Sequence, residues 1–420
     1  MTAASHVCST YEEQLRYLKQ LKSQGADKAT LRAAATKLRQ FKLKSRQENA
    51  SKARYNQKAI SYNANMFLDV YRSHFRTVPY DKEGFSVSFP VPTDEVGASE
   101  VRKFFQEFGF AIFRDVIDAE ECVKTQDEIW SYLESNTAGF ERFVPETYCH
   151  LSSQTYGLAP EPAIFTPQIV KNRCCVKVLR AFRTLILDDD ILVSHDRWCV
   201  YRPTRDILFK NGVRSMPQWK TRENLHLDLN PWTYFSEIKP LEDLRYDNLR
   251  DFSKEINGVT LASGPHVQGV LSLHDNKPND GGTVLLVGFH KCFKEWRNSL
   301  GSMSDQIHSI GGDLGHLVWR GNGVGSYILA PSDPLHKFKQ RVTTRAGSLL
   351  IWNQCVLHGS AHNDSDKFRV AQFIKAFRRA PIGEIRLSRR MKRVDAELKR
   401  NGVHLDAKMS TAMKRAIGLT

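Results

Sequence analysis

Short apolar segments separated by turn clusters fill the chain from Ile191 onward, and they restrict the fold more than any other feature of the sequence. Turn residues gather in K-P-N-D-G-G (277–282) and A-P-S-D-P (330–334), which divide the apolar runs into pieces of strand length. The sequence therefore predicts strands at Trp198–Tyr201, Leu225–Asp228, Val267–His274, Thr283–Val287, Ser326–Ala330, Arg341–Thr344, Ser348–Trp352 and Arg369–Arg378. About eight short strands in series predict a mainly β fold with helical decoration, of the jelly-roll barrel type.

Helical patterns precede these strands. Residues 10 to about 75 are rich in helix formers, and a linker rich in Pro and Val follows at 78–92. A capped amphipathic helix is expected from Ser99, and a buried strand over Phe110–Val116. A second helix is expected from Asp118 to about Leu133, so helices should pack on the β core.

Positive charge is concentrated in the two ends of the chain. The 420 residues carry a net charge of +15, of which the segment 16–58 holds +11 and the segment 378–415 holds +8. The remaining residues are therefore close to neutral. Three parts are expected: a basic helical N-terminal extension and linker (1–95), a β domain (96–381) and a basic helical C-terminal tail (382–420).

The basic ends leave several partners open. They can be solvated helical faces, or they can contact nucleic acid, an anionic membrane, an acidic protein or a CoA-like phosphate. The run R-R-M-K-R (389–393) is a candidate nuclear signal. A neutral central body argues against nucleic acid as the substrate, because a catalytic groove for nucleic acid should itself be basic.

The cellular compartment is predicted from cysteines and hydropathy. The eight cysteines form no C-x-x-C pair, which favours reduced thiols in a protein inside the cell. No apolar run approaches the about 20 residues that span a bilayer, so we expect no transmembrane segment. The expected location is the cytoplasm, with the nucleus as the alternative.

A candidate metal site begins with His226 and Asp228, which are two residues apart in a predicted strand. Residues at i and i+2 of a strand project from the same face, so the imidazole and the carboxylate should point together into the barrel. His358, after the apolar run S-L-L-I-W-N, supplies a second histidine, while His362 is interpreted as an exposed loop residue. Two histidines and a carboxylate form the facial triad of Fe(II) oxygenases. The alternative is a hydrogen-bonded surface pair at His226 and Asp228.

Two residues near His358 suggest a bound carboxylate. Arg369 opens an otherwise apolar strand eleven residues after His358, where it can return across the barrel and clamp a carboxylate bidentately. Ser360 can add a hydroxyl donor to the same group.

The region from about Ser99 to Pro381 resembles the phytanoyl-CoA dioxygenase family, a branch of the 2-oxoglutarate oxygenases. The resemblance rests on E-F-G-F-A-I-F-R-D-V-I (107–117), L-H-L-D-L-N-P-W (225–232), H-V-Q-G-V-L-S-L (266–273), D-G-G-T-V-L-L-V (280–287), A-G-S-L-L-I-W (346–352), H-G-S (358–360) and Arg369. It covers roughly two thirds of the chain in the family's order. It implies a double-stranded β-helix fold.

The resemblance also implies the site. His226, Asp228 and His358 would bind Fe(II), and Arg369 and Ser360 would bind the distal carboxylate of 2-oxoglutarate. The residues expected to serve the same pocket with lesser evidence are Gln268 and Arg202. O₂ would be the second co-substrate, and ascorbate is a candidate stimulant.

Two departures from the family pattern affect the substrate side. The Pro-Gly-Ser-His turn common in the family is replaced by V-G-F-H (287–290), and the long gap between His226 and His358 implies insertions around 236–256 and 298–325. Insertions of this kind near a barrel mouth suit lids or substrate walls.

Three hypotheses follow. The first is a hydroxylase of a small organic or lipid-like metabolite that releases succinate and CO₂. The second applies the same chemistry to nucleic acid or another macromolecule recruited by the basic ends. The third is a non-catalytic binding module, against which the intact triad and Arg369 speak. Asp228 favours hydroxylation over halogenation, because related halogenases place a halide where the carboxylate would be.

Overall fold

The computed structural model of the chain describes residues 11–27, 62–151, 157–160, 163–221, 223–229, 267–300, 327–330, 332–380, 384–407 and 409–420, and the single positions 30, 31, 34, 38, 231 and 382. The predicted insertions lie outside these ranges, apart from residues 298–300. Within the described ranges the α-helices are α1 (Tyr11–Ser23), α2 (Ala64–Tyr71), α3 (Glu95–Phe108), α4 (Ala119–Asn136), α5 (Pro167–Cys174), α6 (Val176–Ile186), α7 (Phe293–Ser299), α8 (Glu384–Arg400) and α9 (Thr411–Ala416). No described helix is long and apolar enough to cross a membrane.

The caps of α3 and α4 explain where these helices begin. The prediction that α3 starts at Ser99 was wrong: the Asp94 side chain accepts a hydrogen bond from the Gly97 N–H at 2.9 Å and starts the helix at Glu95. The predicted start of α4 is confirmed by a capping box between Asp118 and Glu121. Both helices follow ordinary capping chemistry.

The strands, in chain order, are β1 (Phe110–Phe113), β2 (Ile191–Val193), β3 (Trp198–Tyr201), β4 (Ile207–Phe209), β5 (Gly212–Arg214), β6 (Asn224–Leu227), β7 (Val267–Ser272), β8 (Asp280–Leu285), β9 (Tyr327–Ile328), β10 (Gln340–Arg341), β11 (Leu349–Asn353), β12 (His358–Asn363) and β13 (Arg369–Arg378). Among the described residues, the larger sheet has the order β1-β11-β7-β13-β2, and β3 also pairs with β13. The smaller sheet has the order β10-β8-β12-β6-β9, and β4 and β5 form a separate hairpin. The expected combination of β sheets with helices is therefore confirmed.

Three clusters of buried side chains show how the helices and the two sheets pack together. An outer cluster joins the larger sheet to α4, α5 and α6 through residues such as Ile129, Ile169 and Phe182. A second joins the smaller sheet to α2 and α7. An inner cluster contains side chains from both sheets, so the two sheets face each other: Val78, Phe110, Ile112, Cys199, Tyr201, Val270, Leu285, Val287, Val342, Leu350, Trp352, Val356 and Ala371.

Strand β12 shows where the sequence prediction was incomplete. The segment His358–Asn363 was not predicted as a strand, and His362 was assigned to an exposed loop. In the structure His362 lies on β12, partly buried, with its Nδ1 3.5 Å from a carboxylate oxygen of Glu223. The cause is pairing on both sides, since β12 lies between β6 and β8 in the smaller sheet. Neighbouring strands supply the order that its polar, glycine-containing sequence does not.

The C-terminal segment packs on the outer cluster. Val394 and Leu398 of α8 and Ile417 after α9 are buried in the cluster that α5 and α6 share. Arg390, from the basic run at 389–393, is fully buried, and its Nη2 donates to the Val193 carbonyl at 2.5 Å. This burial removes Arg390 from the exposed surface that a nuclear signal needs.

Part of the C-terminal positive charge is neutralised within the chain. Arg415 donates two hydrogen bonds of 2.7 Å to the carboxylate of Asp190, and Arg378 lies 3.6 Å from the carboxylate of Asp188. These contacts attach the basic segment to the loop before β2. The division at residue 381 into a separate tail stays a prediction.

Replacing Ile417 with alanine should destabilise the fold. Ile417 is fully buried, and removal of a buried isoleucine side chain costs about 2–5 kcal/mol of unfolding free energy. Chemical denaturation of the Ile417→Ala protein measures the loss. The same substitution at Ile385, which is 71% exposed on α8, should change the unfolding free energy little. Equal stability of Ile417→Ala and the native chain would contradict the packing of the C-terminal segment.

Candidate metal centre

His226, Asp228 and His358 converge where the two sheets face each other. His226 on β6 pairs directly with His358 on β12, and their imidazole ring centroids are 4.4 Å apart. Asp228 follows the end of β6, and its Oδ1 lies 3.8 Å from Nε2 of His226. One donor atom from each residue lies within 4.8 Å of the other two. Three donors at this separation can hold one metal ion.

The tautomer of His358 suits metal binding. Its Nδ1 lies 3.0 Å from the carbonyl oxygen of Val356. A carbonyl can only accept, so Nδ1 carries the hydrogen and donates it, and the lone pair is left on Nε2. A backbone carbonyl on the second nitrogen is the arrangement that orients ligating histidines in metalloproteins.

Three side chains of the described residues donate hydrogen bonds to Asp228. Nζ of Lys375 donates to Oδ2 at 3.0 Å, and Nε2 of Gln268 donates to the same oxygen at 3.3 Å. Nε2 of Gln354 donates to the backbone carbonyl of Asp228 at 3.0 Å. The structure thus brings the predicted Gln268 to the site and adds Lys375, which the sequence analysis missed. The available signal was period-two spacing, since Lys375 lies six residues after Arg369 on β13 and faces the same side.

Arg369 is buried beside the inner cluster, since it pairs directly with Tyr201 across β3 and β13. It is 4% exposed, its Nη1 lies 3.6 Å from Sγ of Cys199, and its guanidinium carbon lies 4.7 Å from the ring centroid of Tyr201. Burial raises the pKa of the Cys199 thiol, which keeps it neutral. Within the described part of the chain Arg369 forms no ion pair with a carboxylate. A buried guanidinium in such surroundings fits an anionic ligand.

A second cation accompanies Arg369. Burial and then the charge of Arg369 lower the pKa of Arg341 to about 10. Arg341 donates hydrogen bonds to the carbonyl oxygens of Lys277 and Pro278 in the β7–β8 turn and of Thr283 in β8. Arg341 therefore adds a second positive charge in the neighbourhood of Arg369.

Ser360 and Arg202 differ in their placement. Ser360 lies two residues after His358 on β12, on the same face and partly buried, so it can reach a ligand between the sheets. Arg202 follows Tyr201 at the end of β3, and its Nη1 donates to the Tyr148 carbonyl while its guanidinium lies over the Trp219 ring. Tyr148 and Trp219 belong to the outer cluster. Successive strand residues alternate sides, so the structure does not bring Arg202 to the pocket, and burial lowers its pKa to about 10.

The interior near the ligands is apolar and contains one notable donor. The Trp352 ring centroid lies 5.1 Å from that of His358. The indole Nε1 of Trp352 is buried without a hydrogen-bond partner among the described residues. Only 5% of Trp352 is exposed. This N–H can donate to a ligand between the sheets.

The departure at V-G-F-H (287–290) has a structural role. Nε2 of His290 lies 2.9 Å from the Gln106 carbonyl, and the Gly288 N–H donates to the Phe108 carbonyl at 3.1 Å. Phe289 is fully buried. This turn therefore attaches the end of α3 to the smaller sheet. Its residues serve packing and hydrogen bonding within the fold.

The residues present fit Fe(II) and 2-oxoglutarate by their chemistry. Two imidazoles and one carboxylate form an anionic, nitrogen-rich set that suits Fe(II) and leaves positions open. The buried guanidinium of Arg369, beside the inner cluster, suits one carboxylate of a dicarboxylate.

Comparisons with known proteins concern the family and the fold of the chain. No family model matches the chain. A protein of Dictyostelium discoideum described as "Putative phytanoyl-CoA dioxygenase" is 31% identical over 327 residues, which are 76% of this chain and 86% of that protein. "Ava biosynthesis cluster protein O" of Aspergillus versicolor is 24% identical over 70% of this chain and 81% of that protein. The crystal structure titled "Putative Oxidoreductase from Salmonella typhimurium LT2" has a similar fold, with a TM-score of 0.51, 13% identity and 99% coverage of both chains. On the identity and coverage of the Dictyostelium relative, the chain belongs to the phytanoyl-CoA dioxygenase family.

Proposed function

We propose that the protein is an Fe(II)- and 2-oxoglutarate-dependent dioxygenase on a double-stranded β-helix, which hydroxylates a small organic or lipid-like metabolite and releases succinate and CO₂. The observation that carries the proposal is the convergence of His226, Asp228 and His358 within 4.8 Å. Family membership supports the same chemistry.

Each residue has a defined task in this proposal. His226, Asp228 and His358 hold the metal, and the Val356 carbonyl fixes the ring of His358. Arg369, with the Ser360 hydroxyl, binds the distal carboxylate of 2-oxoglutarate through charge-assisted hydrogen bonds. When bound, Fe(II) with 2-oxoglutarate and O₂ supplies the oxidation of a C–H bond.

The protein contributes a dry interior and a complete ligand set. The inner cluster surrounds the pocket with apolar side chains, which exclude water and strengthen the ionic contacts of Arg369. Asp228 occupies the carboxylate position, and this favours hydroxylation of the substrate.

A small organic substrate is favoured over nucleic acid. A relative carries the name of a biosynthesis cluster protein, which suits a small-molecule substrate. In the C-terminal basic segment, Arg390 is buried and Arg415 is paired with Asp190, so part of its charge serves the fold. These contacts do not favour nucleic acid as a partner.

Succinate release tests the proposal. The native chain supplied with Fe(II), ascorbate, O₂ and 2-oxoglutarate should release succinate slowly without substrate and faster with a matching metabolite. His226→Ala should remove both rates, since it takes away one of three ligands. His362→Ala, on the same strand as His358 but 35% exposed, should keep both. Release that persists in His226→Ala would contradict the assigned site.

A further inference from the structure

Three strands of the larger sheet place one residue each in a single transverse row. Gln268 on β7 lies directly opposite Trp352 on β11 and directly opposite Lys375 on β13. Directly paired residues of antiparallel strands project from the same face. We name Trp352, Gln268 and Lys375 the facing row, because all three contact ligand residues carried by the smaller sheet.

Two residues of the facing row donate hydrogen bonds to only one of the two carboxylate oxygens of Asp228. Lys375 and Gln268 both donate to Oδ2, at 3.0 Å and 3.3 Å. The other oxygen, Oδ1, lies 3.8 Å from Nε2 of His226. One oxygen is therefore held by the opposite sheet, and the other faces the second ligand.

Asp228 needs such support because of its place in the chain. Within the described part of the chain, strand β6 ends at Leu227, one residue before Asp228. Its carboxylate can rotate unless side chains hold it. The ammonium of Lys375, whose side chain is 12% exposed, and the carboxylate, 20% exposed, form a shielded ion pair, in which a charge-assisted hydrogen bond is strong.

We infer that Lys375, together with Gln268, is a positioning residue that holds Oδ2 of Asp228, so that the carboxylate presents the single oxygen Oδ1 to the metal. The inference rests on the proposed metal site and deepens it. Lys375 acts through Asp228. It is a partner of a ligand, of the kind whose loss costs about 10–100-fold in metal affinity.

A competing effect of Lys375 has the opposite sign. A lysine ammonium close to the site repels a divalent cation, so removal of its charge would strengthen metal binding. If Lys375 instead positions Asp228, replacement of Lys375 should weaken metal binding. Gln268 separates the two effects, because it is uncharged and contacts the same oxygen.

The experiment titrates Co(II) into the full-length, metal-free protein and follows heat and visible absorption. Lys375→Met should weaken Co(II) binding about tenfold or more and change the Co(II) absorption, because the carboxylate can then offer both oxygens. Gln268→Met should change both in the same direction, and Lys375→Arg should restore most of the affinity. Lys367→Met, the same change at an exposed lysine before β13, is the control and should match the native chain.

Thermal unfolding of the metal-free variants shows whether each is folded. If Lys375→Met does not fold, Co(II) binding by Lys375→Arg and Gln268→Met decides the question. Unchanged or tighter Co(II) binding in both Lys375→Met and Gln268→Met would overturn the positioning role. If the native chain itself binds no Co(II), the proposed function fails. If the native chain binds Co(II) and both variants bind it as well, the positioning role is refuted and the proposed metal site is not.

Discussion

Asp228→Ala is expected to abolish metal binding, with a loss of affinity beyond the about 10–100-fold that removal of a ligand's partner costs. Asp228 is the anionic member of the three ligands, so its removal takes away both a donor atom and a negative charge. It also uncovers the ammonium of Lys375, which no other carboxylate of the described residues pairs. The site would change from net attraction of a divalent cation to repulsion.

Calorimetric titration with Co(II) under anaerobic conditions measures this loss. Asp366→Ala, at an exposed carboxylate in the turn before β13, is the matched control and should bind as the native chain does. The double variant Asp228→Ala with Lys375→Met should recover part of the affinity, because the repelling charge is gone. Near-native binding by Asp228→Ala would refute Asp228 as a ligand.

Arg369→Met is expected to raise the KM for 2-oxoglutarate by about 30-fold or more. Truncation of one partner of a buried, hydrogen-bonded charge pair costs about 2–5 kcal/mol, and 1.4 kcal/mol is tenfold in an equilibrium constant. Arg369 is 4% exposed, so water replaces its contacts poorly. Arg369→Lys should lose less, because it keeps the charge but not the planar fork of donors.

Succinate release at varied 2-oxoglutarate concentration gives the KM of each variant, and Co(II) titration without 2-oxoglutarate should remain native for both. Arg205→Met, at a solvent-facing arginine near β4, serves as the control. Unchanged KM in Arg369→Met would place the distal carboxylate elsewhere.

The arrangement of His226 with Asp228 was accessible from the sequence because strand periodicity is local. Two residues at i and i+2 of a strand share a face, and Asp228 still lies beside His226 although β6 ends one residue earlier, at Leu227. The prediction for Arg369 required one further step, the return of the chain through β12 into β13. The same alternation bears on Arg202: its neighbour Tyr201 faces the interior, whereas Arg202 contacts Tyr148 and Trp219 of the outer cluster.

Alternation along β13 places Lys375 on the interior face with Arg369, but it does not reveal the partner of Lys375, which lies on the other sheet. The contact with Asp228 depends on how the two sheets face each other, and no local pattern specifies that alignment. Strand β12 was missed for a related reason. H-G-S-A-H-N has none of the β-branched or aromatic residues that favour strands, and its conformation comes from pairing with β6 and β8.

Charge runs were equally ambiguous in the sequence. From the sequence R-R-M-K-R, Arg390 is expected to be exposed like its basic neighbours. In the structure it is fully buried and donates to the carbonyl of Val193. Arg415 donates to Asp190, which lies 225 residues earlier. Composition gives the net charge of a segment, and only tertiary contacts show how much of that charge faces a partner.

The most direct test of the central claim is an anaerobic absorption spectrum of the protein with Fe(II) and 2-oxoglutarate. A visible charge-transfer band should appear with the native chain, be absent in His226→Ala, and need more 2-oxoglutarate in Arg369→Met. Absence of the band from the native chain, together with no succinate release, would contradict the assignment of His226, Asp228 and His358 as an oxygenase iron site.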